Sequence, residues 1–306
     1  MRSQQKAYKE MIHHSRDSLL RDVAKRFMRN KAAVVGFIIL TVILFVIIFA
    51  NFLVPEELVT AYDTQAHLDP NAIDVTNQLQ PPSAGHWFGT DNLGRDIFAR
   101  VLYGARITVG ISVGATLISL LIGAVLASVC ALSKKLDFVI MRIMDVVSCV
   151  PSVLLALVLL AILGGSVWNM MLTLMIVSVP GFTTRIRSVL LSVVEQDYVK
   201  AARVSGTRKI SLVLRHVLPN AMDPIIVDAT MTISSMLLSA AGLSFIGMGV
   251  SPPSPEWGAM LNYAQGYFRT NPHTAIFPGI AIALTALSIN LVGDGLRDAL
   301  DPKAIK

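Results

Sequence analysis

Charge is scarce in this sequence. Only 15% of its 306 residues are Asp, Glu, Lys or Arg, whereas soluble domains carry about a quarter. Apolar residues make up 54%, and the mean hydropathy is +0.62. That apolar excess has to face lipid. Cysteine is almost missing: Cys130 and Cys149 lie in apolar runs without the CxxC or Cys/His spacing of a metal site, and read as small buried hydrophobes. No HExxH occurs, and His13 and His14 sit in a polar arm. No G-x4-GK[ST] loop is present to cradle ATP phosphates, and no G-x-S-x-G elbow or nucleophile–base pair marks an enzyme. The net charge of +6 comes without a basic patch interleaved with aromatics. Nucleic acid is therefore excluded as a partner, and the basicity is a signal of membrane topology.

What is present is long apolar runs. Crossing the hydrocarbon core as a helix takes about 20 residues. Six stretches qualify: Ala32 to Val54, Ile107 to Leu132, Phe138 to Leu163, Ser166 to Thr184, Ala221 to Met248, and Thr274 to Val292. The first follows a leader too long for a secretory signal and no A-x-A site follows it, so it is expected to remain as an anchor. Residues 1–31 hold nine Lys and Arg, and residues 55–90 hold none against five acidic residues. With the N-terminus in the cytoplasm, 22 of the 26 basic residues fall inside. Three of the four exceptions, Arg95, Arg100 and Arg106, precede the second run. There Ile97, Val101 and Leu102 share a face, which predicts a short interfacial amphipathic helix on the outer surface.

The segment from Glu195 to Asn220, EQDYVKAARVSGTRKISLVLRHVLPN, is too long for a simple turn. Asp197 can cap two helical turns from Tyr198 to Ser205, and Gly206 suits the left-handed position that ends them. Thr207 can cap a second helix that brings Ile210, Val213, Leu214 and Val217 to one side. Pro219 then ends that helix, and Asn220 caps the fifth span. A short exposed helix bearing two alanines allows another surface to approach its backbone closely.

This segment resembles the cytoplasmic motif EAA-x3-G-x9-I-x-LP of bacterial ABC importer permeases. It matches at Ala201, Ala202, Gly206, Leu218 and Pro219, and departs at Lys200 and His216, where the family has Glu and Ile. Lys200 forgoes a capping-box contact, which weakens the helix slightly. FGTDNLGRDIFARVLYGAR (Phe88 to Arg106), SFIGMGVSPPSPEWGAML (Ser244 to Leu261) and GDGLRDALDP (Gly293 to Pro302) resemble signatures of the C-type permease of dipeptide, oligopeptide, glutathione and nickel importers. The likeness runs from about residue 20 to the C-terminus.

The resemblance implies an all-α polytopic protein with six transmembrane helices, N-in and C-in, around a five-helix permease core. Its parts would be a cytoplasmic arm (1–31), an anchoring helix (32–54), an extracytoplasmic loop with the interfacial helix (55–106), the core (107–296, with coupling segment 185–219) and a tail (297–306). It implies four partners besides the lipid bilayer of the bacterial inner membrane: a homologous B-type permease, two ABC ATPases and an extracytoplasmic solute-binding protein. ATP and Mg would be bound by the ATPases, with no cofactor in this chain. The docking residues would be Tyr198, Ala201, Ala202, Arg203, Gly206, Leu218 and Pro219. The substrate would be a di- or oligopeptide, with glutathione, nickel chelates and opines as alternatives.

Four residues are candidates for the pathway or its gating. Asp145 is an intramembrane carboxylate, although Arg142 one turn earlier can pair with it. Asp228 lies deeper in its span than Asp223, which suits a helix N-terminus. Pro151 and Pro180 lie within apolar runs and can kink them. Asn290 reads as interhelical glue. The Gly293–Asp294 pair is similar to the GD of intramembrane aspartyl proteases, but Leu291 stands where that motif needs Gly, so it reads as helix termination. A stand-alone secondary transporter or channel is the competing class. It would need ion ligands at mid-membrane and paired discontinuous helices, for which this sequence shows no repeat.

Overall fold

Uninterrupted apolar runs become helices because, in lipid, only a helix satisfies every backbone amide within its own segment. The computed structural model describes residues 21–53, 71 and 73–300. The architecture is all-α: among the described residues the only β feature is an isolated bridge between Thr90 and Asp96. Residues 21–29 are helical and lead into α1 (Lys31–Leu53). Then come α2 (Ile97–Leu132), α3 (Lys134–Ser148), α4 (Ser152–Leu163) and α5 (Val167–Val194). They are followed by α6 (Asp197–Val204), α7 (Lys209–Leu212), α8 (Met222–Phe245), α9 (Trp257–Ala264) and α10 (His273–Leu300). Residues 1–20 of the expected arm, 54–70 and 72 of the loop, and 301–306 of the tail lie outside the described residues. Residues 297–300, expected in the tail, are the last turn of α10.

α1 runs beside α10 and leaves Val35, Phe37, Ile38, Val42 and Ile48 exposed, as a lipid-facing helix does. The bundle centre is α2, which packs along α5 and α8. One stripe of α2 carries Thr108, Ser112, Thr116 and Ser119, all fully buried. The hydroxyls of Ser112, Thr116 and Ser119 each donate to the carbonyl four residues earlier, at 2.6–2.8 Å. Small side chains with internally satisfied hydroxyls let helices approach closely where no water can solvate them. Where α2 meets α5, Gly123 faces Phe182, and a Cβ there would lie 2.7 Å from the Phe182 Cβ.

Two expectations are corrected by the helix boundaries. The interfacial helix before residue 107 does not exist: residues 97–106 are the first turns of the 36-residue α2. At about 1.5 Å per residue that helix far exceeds a ~30 Å hydrocarbon core, so one end projects beyond it. Arg95 and Arg100 do not lie on a surface; both are buried, Arg100 to 1% exposure. Asp91 accepts the Arg95 Nε at 2.6 Å, and Arg100 donates to Asn71 Oδ1 at 2.9 Å. An amphipathic reading fails where a folded cap supplies partners for the cations.

The third run is likewise not one straight helix. α3 and α4 meet at an 81° bend across Cys149–Pro151. Pro151 therefore does not kink a continuous helix; it stands before the first residue of α4, as a residue without an N–H can. Five helices, counting α7 to α8 as one continuous run, are long and apolar enough to cross a membrane, and the bent pair makes six if it counts as one crossing.

Candidate functional site: the α5–α8 connection and a groove between the helices it joins

Between α5 and α8 the chain leaves the bundle and folds back on itself. α6 starts at Asp197, with Gln196 in the cap position rather than Asp197. Its end is built as a Schellman turn: the Gly206 amide donates to Arg203 O at 3.1 Å and the Thr207 amide to Ala202 O at 3.2 Å. Gly206 has φ +84° and open space around the position of a Cβ. Arg208, not Thr207, precedes α7. The helix then widens to a π-turn over Val213–Val217, with the Leu218 amide donating to Val213 O at 2.8 Å. Pro219 opens a 3₁₀ turn, so it begins the return into α8. Asn220 does not cap α8; its side-chain amide donates to His216 O at 2.7 Å.

The π-turn rotates the apolar stripe. Leu212, Val213 and Val217 are buried, while Ile210 and Leu214 are exposed, so the expected single face of Ile210, Val213, Leu214 and Val217 is split. Leu212 and Val217 join Phe182, Ile186 and Leu190 of α5, Val199 of α6 and Ile225 of α8 in one core. Ala202 and Leu218 pack partly against it. α6 is thus pinned through Val199 and Ala202. Its outer face presents Tyr198, Ala201, Arg203, Gly206 and Val204, the last 89% exposed.

A groove of about 900 Å³ lies between α4, α5 and α8. Its wall is lined by Ser152, Ser178, Thr232, Ser235 and Ser239 among Val, Leu and Met side chains. Asp228 lines it and pairs with Arg185 at 2.8 Å. A coupling segment starting at residue 185 would leave Arg185 outside the span, but α5 continues to Val194 and holds it on the groove wall. Nothing in the apolar pattern marked it, because the run looks finished at Thr184.

Asp145 is brought to a different place. It sits on α3, more than half exposed, 3.9 Å from Arg142, and lines a second groove between α3 and the coupling segment. Pro180 is buried inside α5. Its missing N–H leaves the Ile176 carbonyl without its helical donor; the neighbouring Met175 O lies 3.2 Å from the Ser119 hydroxyl of α2. Pro151 and Asp145 thus lie at the α3–α4 bend and its flank, Pro180 and Asp228 on the two helices of the main groove.

Opposite the coupling segment the chain builds a cap. Glu256, fully buried, accepts the amides of Gly258 at 3.0 Å and Ala259 at 2.8 Å at the start of α9. Burial pushes its carboxyl above the ordinary value of 4.5, although these donors favour the charged form. The Trp257 indole donates to Val101 O at 2.9 Å, and Arg100 reaches Pro253 O at 3.4 Å. Asp96 caps α2 through the Ala99 amide at 2.8 Å and meets His86 Nδ1 at 2.9 Å, its carboxyl raised chiefly by burial. No pattern in the sequence signals the burial of Glu256, because a glutamate in a proline-rich loop ordinarily faces water.

Comparison with known proteins yields consistent matches. Residues 119–306 match the model of a family described as binding-protein-dependent transport system inner membrane component, and residues 18–82 match the N-terminal TM domain of oligopeptide transport permease C. The dipeptide transport system permease protein DppC of Alkalihalophilus pseudofirmus is 40% identical over 92% of this chain and 90% of its own length. The glutathione transport system permease protein GsiD of Escherichia coli is 41% identical over 91% and 89%. Among solved structures, an inward facing conformation of the MetNI methionine ABC transporter superposes with a TM-score of 0.56 at 16% identity. It covers 66% of this chain and 97% of the matched one, which is a likeness of fold.

Proposed function

The chain belongs to the family of binding-protein-dependent transport system inner membrane components, and from that premise we propose that it lines half of the translocation pathway of an importer of small peptides, driven by partner ATPases. The observation that carries the reading is the joint placement of groove and coupling segment. The groove lies between α5 and α8, and the segment that joins those two helices ends in an exposed, Schellman-capped helix. A push on α6 is transmitted through Val199, Leu212 and Val217 into Phe182, Ile186 and Ile225, on the groove's own helices. That linkage supports alternating access between inward- and outward-open states.

In this reading ATP and Mg are bound by two ATPase subunits docked at Tyr198, Ala201, Ala202, Arg203, Gly206, Leu218 and Pro219. A homologous permease closes the open side of the groove, and a solute-binding protein delivers substrate at the cap. The 22-to-4 partition of basic residues supports a cytoplasmic N-terminus and coupling segment in a bacterial inner membrane. Relatives named for dipeptide and for glutathione transport match equally well, so the shared chemistry is that of a small peptide. The five parts foreseen from the sequence keep their order under this proposal, with the core enlarged to start at Ile97.

The test is reconstitution with the partner permease, both ATPases and the binding protein, scoring ATP-dependent uptake of a labelled dipeptide. Uptake that disappears when this chain alone is omitted is expected. ATP hydrolysis by the purified chain, free of other subunits, would overturn the reading.

A further inference from the structure

Charge enters the groove at one place. Among its lining residues the only Asp, Glu, Lys or Arg are Arg185 of α5 and Asp228 of α8. Arg185 Nε lies 2.8 Å from both carboxylate oxygens of Asp228. The pair stays accessible, Arg185 about half exposed and Asp228 about a third. Arg185 is also positioned: its guanidinium sits 5.0 Å above the ring of the fully buried Phe182. Gly181 leaves room for it, since a Cβ there would come 3.0 Å from Arg185 Nη1. An aromatic face fixes the cation on one wall of the path, and the opposite wall supplies its anion.

We propose that Arg185 and Asp228 form a charge-exchange station for zwitterionic peptides, the substrate carboxylate taking Arg185 while its ammonium takes Asp228. This rests on the peptide-import reading and adds the side chains that meet the substrate's charges. A lone arginine in a weakly polar groove would hold any anion, because ion pairs strengthen as the local dielectric falls. A preformed pair changes that balance. A ligand with one charge takes one partner and leaves the other protein charge without its mate, a loss that a ligand carrying both charges avoids. A zwitterion replaces one ion pair with two. The station therefore discriminates by charge pattern, yet holds its ligand weakly enough to release it.

Its position suits release. Asp228 lies in the second turn of α8, just after the coupling segment, and Arg185 lies on the helix that leads into that segment. Displacing the segment alters the separation of the two charges and hence the competition between their mutual pair and the substrate.

The assembled complex in proteoliposomes tests this with three labelled dipeptides, Ala-Ala, Ala-Glu and Ala-Lys. Arg185→Gln leaves an unpaired carboxylate and is expected to raise the Ala-Lys to Ala-Glu uptake ratio severalfold. Asp228→Asn is expected to lower it severalfold, and the exchanged pair Arg185→Asp with Asp228→Arg to return it to the wild-type value. If both single variants assemble and lower all three peptides in equal proportion, the pair is only a strut between helices and the station is overturned. Should the neutral variants fail to assemble, Arg185→Lys keeps the charges with a looser reach. A raised KM for Ala-Ala at unchanged kcat supports the station, and an unchanged KM overturns it. A wild-type complex that takes up none of the three overturns the peptide reading itself and the station with it.

Discussion

Thr108 and Glu256 are joined in the cap by a single hydroxyl used twice. Thr108 Oγ1 donates to Glu256 Oε1 at 3.3 Å and accepts the Trp257 amide at 3.2 Å. One α2 side chain thus ties the carboxylate that starts α9 to the residue after it, and the central helix of the bundle to the cap.

Removing that carboxylate orphans two buried amides. Glu256→Ala leaves the Gly258 and Ala259 N–H groups without their acceptors. Loss of a cap costs about 1 kcal/mol, and each unsatisfied buried donor about 1–3 kcal/mol. We expect a clearly lowered melting temperature of the purified complex, with Glu256→Gln intermediate because it retains one acceptor oxygen. A Glu256→Ala complex as heat-stable as the wild type would show that the cap is held by other contacts.

Acidity at this site has a definite sign. Burial raises the Glu256 carboxyl above 4.5 in the folded state, so between 4.5 and the raised value the folded chain binds more protons than the unfolded one. Stability from this group is then fully present below about 4.5 and falls as pH rises through the folded value. Glu256→Gln removes the titration. The difference in melting temperature between wild type and variant, followed from pH 4 upward, is expected to move against the wild type, and a flat difference would contradict it.

Orientation can be read independently. A reporter domain fused after residue 75 is expected outside and one after residue 209 inside, from the 22-to-4 partition of basic residues. Residue 75 lies in the 3₁₀ turn that Asp74 caps, its carboxyl held low first by the Thr76 hydroxyl. A reporter at that point found in the cytoplasm contradicts the proposed topology.

Much of this was legible because lipid imposes strong rules. The all-α class and the positions of the long helices follow from run length alone, and the Gly206 turn from the one residue that takes φ +84° without strain. What could not be read depended on tertiary partners. Arg95 and Arg100 look like surface cations until Asp91 and Asn71 are seen to receive them. Arg185 looks like a loop residue until Asp228, 43 positions away, neutralises it. The π-turn at Val213–Val217 splits an amphipathic stripe that a 3.6-residue period joins.

The crossing of α2 and α5 rests on Gly123. With a Cβ only 2.7 Å from that of Phe182, Gly123→Ala requires a slight separation of the helices and Gly123→Leu a large one. Overpacking costs about 1–3 kcal/mol, and close helix approach in lipid depends on small residues. We expect Gly123→Leu to lower the yield of assembled complex strongly and Gly123→Ala mildly. Equal yields of all three proteins would show that α5 is not fixed at this point.

The coupling reading meets its sharpest test at Gly206, where backbone strain and surface bulk can be separated. Its φ of +84° penalises a β-branched residue by about 1 kcal/mol or more, but asparagine tolerates the left-handed region. No atom lies within 4 Å of the Cβ position, so the chain itself accommodates the added side chain. Gly206→Asn should therefore keep the Schellman turn and normal membrane insertion while placing new bulk on the proposed docking face. Gly206→Val should add strain to that bulk. Transport, and ATPase stimulation by substrate-loaded binding protein, are expected to fall in both variants, further in Gly206→Val, with ATPase subunits co-purifying less. If Gly206→Asn transports like the wild type and only Gly206→Val is impaired, the glycine serves the turn alone and the docking surface lies elsewhere on the segment.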